Sequence, residues 1–362
     1  MTTQIQAIVS ALESQFPERK EAITAMMCAI VAREHCVLYG VPGTGKSLLT
    51  RSFAECLDRS FFEYLMTRFT EPSEVFGPVD PNAFRLGKYA RVTTGKFSEC
   101  EIAFLDEIFK ANSAILNSFL TILNERTYDA GSGPKPVPLM SCIGASNELP
   151  EGPELEALYD RILVRLEVGY ISDDAAFRGM LLSDGIKLPS ITIDIAAEQA
   201  QAKRVQVTPE TVDAIINLRN ACKKAGIVVS DRRWRQCLNL IKAHAHVEGR
   251  TTTVPDDLEI LESVLWHKPS DKVLTSKTIQ SVISPSGSVA VEMLDAARHL
   301  LANLPQNADM ASLGAAVKDI AEIAGKLDKL ASGRRVDAAK VEVKAIKGQI
   351  AKRAMRAAGV DL

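Results

Sequence analysis

Residues 40–47 read GVPGTGKS, which meets the pattern GxxxxGK[ST] once in the chain. Glycines at 40, 43 and 45 let backbone N–H groups wrap an anion with no Cβ in the way. Lys46 supplies a cation for β- and γ-phosphates, and the Ser47 hydroxyl is a hard oxygen donor for Mg²⁺. Pro42, Thr44 and Leu48 complete the stretch expected to line a nucleotide. A second run, IAFLDE at 102–107, is apolar and ends in two acids. Asp106 suits Mg²⁺, usually through water, and Glu107 suits deprotonation of an attacking water. Asn147, in GASNE, ends another apolar run, where its amide can contact a γ-phosphate and fix that water. The chemistry these residues point to is Mg²⁺-dependent hydrolysis of a nucleoside triphosphate.

Such residues need a scaffold that brings them to one place. CVLYG (36–40), FFEYL (61–65), IAFLD (102–106), MSCIGAS (140–146) and ILVRLEVG (162–169) are short apolar runs with little alternation. Strands buried on both faces have this composition, so a mainly parallel sheet covered by helices is expected. The glycine-rich loop lies between the first strand and a helix from about Lys46 to Leu57, whose positive end faces the same anion. Residues 18–34 carry Ala22, Met26, Ala29 and Ile30 on one helical stripe. Residues 84–97 suggest a β-hairpin with Lys88–Val92 as a strand, and 127–139 a loop or hairpin. Beyond about residue 170 the pattern is helical only, over 196–203, 209–225, 231–249 and 255–266. Thr208 and Ser230 are placed to cap two of these helices. HKPSDK (267–272) is a polar linker, and helices are expected over 289–302, 309–331 and 334–358. The boundaries expected are an α/β nucleotide domain at 1–170, an all-α lid at 171–268 and a helical domain at 269–362.

Composition removes several classes. The chain has 362 residues, 43 basic and 45 acidic side chains, and a net charge of −2. With 46% apolar and 24% charged residues it is not a disordered chain. No apolar stretch approaches the about 20 residues of a membrane span, and the N-terminus lacks the pattern of a signal peptide. Near-neutral charge gives no overall pull toward nucleic acid. Seven cysteines without CxxC spacing suit free thiols in a reducing cytoplasm. The histidines offer no zinc spacing; His244 and His246 lie on different faces of a helix.

The stretches GVPGTGKS, EYLMTRFTEPSEVFGP, EIAFLDEIFKANSAILNSFLTILNER, ASNELPE, LEALYDRILVRL and VSDRRWRQ resemble AAA+ ATPases of the MoxR family, nearest the RavA subgroup. The resemblance runs from about residue 5 to Trp266. It implies a P-loop parallel sheet with helices on both faces, followed by an all-α lid and a C-terminal helical region. It implies ATP and Mg²⁺, a hexameric homo-oligomeric ring, and chaperone-like remodelling of protein partners. A von Willebrand factor A (vWA) domain protein is the implied companion. The segments 84–97 and 127–139 match the family's helix-2 insert and the hairpin before its sensor strand. Arg161 falls on the arginine finger, which acts on nucleotide held by a neighbouring subunit. Taken without the family, Arg161 and Arg165 could be solvated ion-pair partners of Asp160 and Glu156. Arg232 falls on the second sensor position, with Arg233 one residue away as the alternative. RavA proteins also carry a β-rich module that contacts a decarboxylase; residues 273–362 show helical pattern only.

Two features leave a DNA-directed AAA+ motor or loader as the alternative function. One is the set Arg85, Lys88, Arg91 and Lys96 in the first insert. The other is the basic final helix, with Arg334, Arg335, Lys340, Lys344, Lys347, Lys352, Arg353 and Arg356. Against the second stands the apolar stripe Val343, Ile346 and Ile350, which suits packing in a bundle, with 273–362 then a docking or assembly element.

Overall fold

Among the described residues seven strands form, in chain order: β1 (Cys36–Tyr39), β2 (Phe61–Leu65), β3 (Ile102–Asp106), β4 (Thr127–Asp129), β5 (Pro134–Pro136), β6 (Ser141–Ser146) and β7 (Val164–Glu167). In the computed structural model, which describes residues 4–182, 193–283, 285–305, 310–330 and 334–357, five of them make one sheet in the order β2-β3-β6-β1-β7. Every pairing in it is parallel, with Cys36 opposite Ile143 and Val164, and Ile102 opposite Ser141 and Phe61. β6 is buried along its whole length and β3 up to Asp106, as the unalternating apolar runs require. The α/β parallel-sheet expectation holds. The strands β4 and β5 pair antiparallel as a separate hairpin, which resolves the alternative left open for 127–139.

The chain divides into two compact units, residues 1–213 with 226–272, and residues 214–225 with 273–362. The first holds the sheet and the helices Lys20–Ala32, Ile195–Arg204 and Asp231–Val247, which pack on one another. The expected lid at 171–268 is thus divided, because part of the helix Pro209–Lys224 groups with the C-terminal helices. In the second unit, helices Pro285–Ala302, Met310–Asp328 and Arg334–Ala357 share a core of Ala290, Ala297, Ile320, Val343, Ile346 and Ile350. The apolar stripe of the last helix is therefore internal, and Lys344, Lys347, Lys352 and Arg353 are exposed. Arg298 grips Glu342 with two bonds of 2.8 and 2.9 Å. No strand occurs among the described residues beyond 272.

Two local expectations fail. Residues 84–97 do not fold into a hairpin. Asp80 caps a single helical turn, Pro81–Arg85, by accepting from Asn82 N at 2.8 Å. Ala90–Val92 instead pair outward: Asp80 N donates to Ala90 O, Val92 N to Pro78 O and Arg91 N to Ala130 O. Pro78 lacks an N–H, so the pairing stops at one bridge, Val79 to Arg91. The insert is fastened at its root by Phe76 and Phe97, whose rings meet edge-on at 6.1 Å and both contact Phe119. The segment 255–266 is a 3₁₀ helix, Pro255–Ser263, with bonds such as Val264 N to Leu261 O. Asp257 pins its first turn, accepting from Val254 N and from His244 and Arg250.

Glu34 and His35 join the helix Lys20–Ala32 to β1 and are both buried. His35 Nδ1 accepts from Cys142 N at 2.9 Å, which leaves Nε2–H to donate to Leu123 O at 3.1 Å. A neutral ring is required, and burial holds it well below 6.5. Burial pushes the Glu34 carboxyl the other way, to about 7, although Gln236 donates to it and Arg126 lies near. Below 6.5 the unfolded chain takes up a proton that folded His35 refuses, so that share of stability fades as pH falls. Between 4.5 and 7 folded Glu34 keeps a proton the unfolded chain has released, so its share fades as pH rises. The two slopes oppose each other. In urea unfolding, Glu34→Gln should lose stability from pH 6.5 to 4.5 more steeply than the parent by about 1.4 kcal/mol per pH unit. Parallel profiles would show that Glu34 titrates normally in the folded chain.

Candidate active site

The glycine-rich loop leaves β1 under tight steric control. Gly40 has φ +152° and lies so close to Val168 that a Cβ would stand 2.1 Å from the Val168 oxygen. Its N–H donates to Ser146 O at 3.0 Å, tying the loop to β6. Gly43 and Gly45 have open surroundings but φ of +79° and +80°, so backbone conformation alone demands glycine there. Gly45 opens the helix Lys46–Cys56, with Ser47 half-buried and Leu48 exposed in its first turn. Lys46 Nζ donates to Gly40 O (2.9 Å), Val41 O (2.8 Å) and Thr44 Oγ1 (3.4 Å). Burial lowers its pKa, while Asp106 and Glu107 pull it back up. Pro42 is exposed on the rim of the loop.

Parallel strands bring the other candidates to the same edge. Asp106 ends β3 and its Oδ1 accepts from Glu107 N at 3.0 Å. Glu107 adopts φ +53°, a left-handed backbone that costs a non-glycine residue about 1 kcal/mol or more. Its Oε2 is buried, lies 3.3 Å from Lys110 Nζ and makes no hydrogen bond among the described residues. Asn147 follows β6, held in a turn where Ser146 Oγ accepts from Glu148 N and donates to Glu148 O. Because β6 lies between β3 and β1, Asn147 stands between the acids and the loop. The hydroxyl of Ser47 and the carboxylate of Asp106 are oxygen donors of the kind Mg²⁺ takes. With a buried Glu107 oxygen that has only the Lys110 ammonium beside it among the described residues, and a loop only glycine can form, the residues present fit a metal–nucleotide.

The arginines lie elsewhere. Arg161 ends the helix Pro153–Arg161, three residues ahead of Val164, and so belongs to the opposite edge of the sheet. Its Nη1 donates to Ala157 O at 2.8 Å, while its buried Nε has no hydrogen-bond partner among the described residues. Arg232 lies beside it and forms an ion pair with Asp160. Both line a cavity of about 170 Å³ with Arg33, Arg126, Glu34 and Gln236. Arg233 is only 5% exposed and donates to Leu163 O (2.7 Å) and Val264 O (2.8 Å). Its role is to tie the helix Asp231–Val247 to the entrance of β7. Arg165 is not solvated either: it is buried, its guanidinium 3.8 Å from the centre of the Tyr159 ring, and burial lowers it to about 9. The sequence signalled neither the buried Glu34–Gln236 contact nor the turn after β7 that packs on Gly40. Both depend on residues far apart in the chain.

A family profile described as the MoxR domain in MoxR–vWA–β-propeller ternary systems matches residues 3–213, and an AAA lid profile matches 210–279. An uncharacterized protein of Methanocaldococcus jannaschii is 36% identical, covering 90% of this chain and 87% of its own. The Mycobacterium tuberculosis protein named chaperone MoxR1 is 26% identical over 73% of this chain and 74% of its own. The solved structure of a "putative ATPase" from Cytophaga hutchinsonii shares the fold, with TM-score 0.63 at 18% identity over 77% of this chain and 93% of its own.

The two neighbouring arginines are separable by stability. Arg233→Ala should destabilise the chain by about 3 kcal/mol, since charged hydrogen bonds to buried carbonyls are lost. Arg232→Ala, which breaks an exposed pair, should cost less than about 1 kcal/mol. Denaturant midpoints measure both, and equal losses would contradict this division.

Proposed function

The chain belongs to the MoxR family of AAA+ ATPases, and from that premise we propose that it hydrolyses ATP with Mg²⁺ in a homo-oligomeric ring. One observation carries the proposal. Lys46, Asp106, Glu107 and Asn147 share the carboxyl edge of the sheet, whereas Arg161, with an unbonded buried Nε, stands on the opposite edge. One subunit therefore holds the nucleotide and a neighbour offers the arginine. Lys46 and the loop N–H groups bind the phosphates. Glu107 accepts the proton of the attacking water, and Asn147 holds that water in line. Ser47 and Asp106 would hold Mg²⁺, which when bound would supply positive charge against the phosphates. Arg161 meets the charge that develops on the neighbour's γ-phosphate. Arg232 shares its cavity, so we assign the second sensor to the neighbour's nucleotide as well.

Hydrolysis releases ADP and phosphate, and the cycle drives conformational work on protein partners, in a ring taken as hexameric and in the cytoplasm. The family profile's wording supports a vWA domain protein as companion, and the name of the mycobacterial relative supports a chaperone role. No described helix is long and apolar enough to cross a membrane. Among the described residues beyond 272 no strand supports a RavA-type decarboxylase partner. The relatives do not favour the DNA-directed alternative. We keep the division into nucleotide domain, lid and C-terminal helical region as a functional one, with the last part serving docking or assembly.

Binding and turnover should separate cleanly. Lys46→Ala should weaken nucleotide binding by about a hundredfold, as expected for losing charged hydrogen bonds. Glu107→Gln should keep binding and lower turnover by about 10²–10⁴, since an amide accepts no proton. A Glu107→Gln chain with parental phosphate release would sink the assignment of the base.

Arg161→Ala should leave binding by a single subunit unchanged and cut assembled turnover by about 10³–10⁵. Mixing Arg161→Ala with Glu107→Gln subunits should restore activity at junctions where a sound Glu107 meets a sound Arg161. Mixed rings that stay inactive at every ratio would rule out action between subunits.

A further inference from the structure

Strand order sets the direction in which a bound nucleotide must lie. Asp106, Glu107 and Asn147 follow β3 and β6, on one side of β1. The phosphate loop grows out of β1 itself. A triphosphate whose γ end reaches those residues must carry its ribose and base to the other flank of the loop, toward β7. The chain after β7 is held there by backbone and side-chain hydrogen bonds. Val168 N donates to Tyr39 O at 2.8 Å, and Gly40 packs on the Val168 carbonyl with no room for a side chain. The Arg19 guanidinium donates to Gly169 O. The Glu18 carboxylate accepts from Ser172 N (3.0 Å), Ser172 Oγ (3.0 Å) and Asp173 N (2.7 Å). Glu18 does so from a left-handed backbone, φ +58°.

Between these clamps stands Tyr170. The residue is 67% exposed, so its ring is open to a ligand. Its hydroxyl lies 3.4 Å from Pro42 O, a long donor contact that sets the ring beside the rim of the phosphate loop. A cavity of about 150 Å³ opens beside the same turn, lined by Tyr39, Gly40, Val41, Val168 and Gly169 with the polar residues Asn147 and Glu167. A flat aromatic face, carried by a clamped turn at the base-proximal end of a phosphate site, is what a stacked base requires.

We propose that Tyr170 is the base platform of the nucleotide site, its ring stacking on the purine of the nucleotide whose phosphates the 40–47 loop binds. The inference rests on the nucleotide reading above and adds the residue that recognises the base. Stacking uses the face of the base and not its edge, so adenine and guanine nucleotides should both profit from it.

Calorimetric titration of the full chain with ADP, GDP and inorganic tripolyphosphate tests this. Tyr170→Ala should weaken ADP and GDP by about tenfold to a hundredfold, the usual worth of one base–aromatic stack. Its tripolyphosphate affinity should match that of the parent, and Tyr170→Phe and Tyr170→Trp should bind ADP as the parent does. Parental ADP affinity in Tyr170→Ala would overturn the proposal. So would an equal loss of tripolyphosphate, which would make Tyr170 a prop of the loop, or a Tyr170→Phe loss as large as that of Ala. A parent chain that binds neither ADP nor tripolyphosphate would instead overturn the nucleotide reading, and this inference with it.

Discussion

The uniform direction of five strands is the constraint on which the rest of this protein depends. Parallel strands joined by crossovers all deliver their carboxyl ends to one edge of the sheet. Lys46, Asp106 and Asn147 are far apart in the chain and meet only because β1, β3 and β6 point the same way. The order of the strands then decides who stands next to whom. With β6 between β3 and β1, the amide of Asn147 falls between the acids and the lysine. The close approach of Gly40 to Val168 fixes the other flank.

The same polarity divides labour between the edges. A residue shortly before a strand cannot serve the site at that strand's far end, because four residues of β7 span about 13 Å. Arg161 precedes β7 and is therefore denied to its own phosphate loop by geometry. The helix Asp231–Val247 reinforces that edge. Arg233 is bonded to carbonyls around the entrance of β7, Arg232 to Asp160, and Gln236 to Glu34. One helix thus braces the segment that carries Arg161 while presenting a second arginine beside it.

Local patterning and tertiary context disagreed where backbone donors ran short or distant partners took over. Lys88–Val92 has the composition of a strand, yet Pro78 lacks an N–H and Asp80–Pro81 starts a helical turn, so the hairpin does not form. Residues 255–266 keep a helical period but tighten to 3₁₀ around the buried carboxylate of Asp257. Arg232 and Arg233 look equivalent in sequence. One is half in solvent and the other interior, a difference set by carbonyls of residues 160–163 and 264.

By itself the sequence determined the parallel α/β class, the positions of its five strands, and the loop, acids and amide that make up the candidate site. Each of these is written locally: buried strands are apolar without alternation, left-handed turns need glycine, and polar residues at strand ends have one edge to occupy. Tertiary structure alone decided the strand order, the separation of Arg161 and Arg232 from the phosphate loop, and the clamped turn that offers Tyr170. It also decided that Glu34 and His35, adjacent and both ionisable, are each driven toward the neutral form. Those outcomes come from contacts between residues far apart in the chain, from about forty positions between neighbouring strands to more than a hundred for Glu18 with Ser172 and Glu34 with Gln236. Local sequence cannot encode them, because the free energy of such contacts exists only once the chain has closed around them.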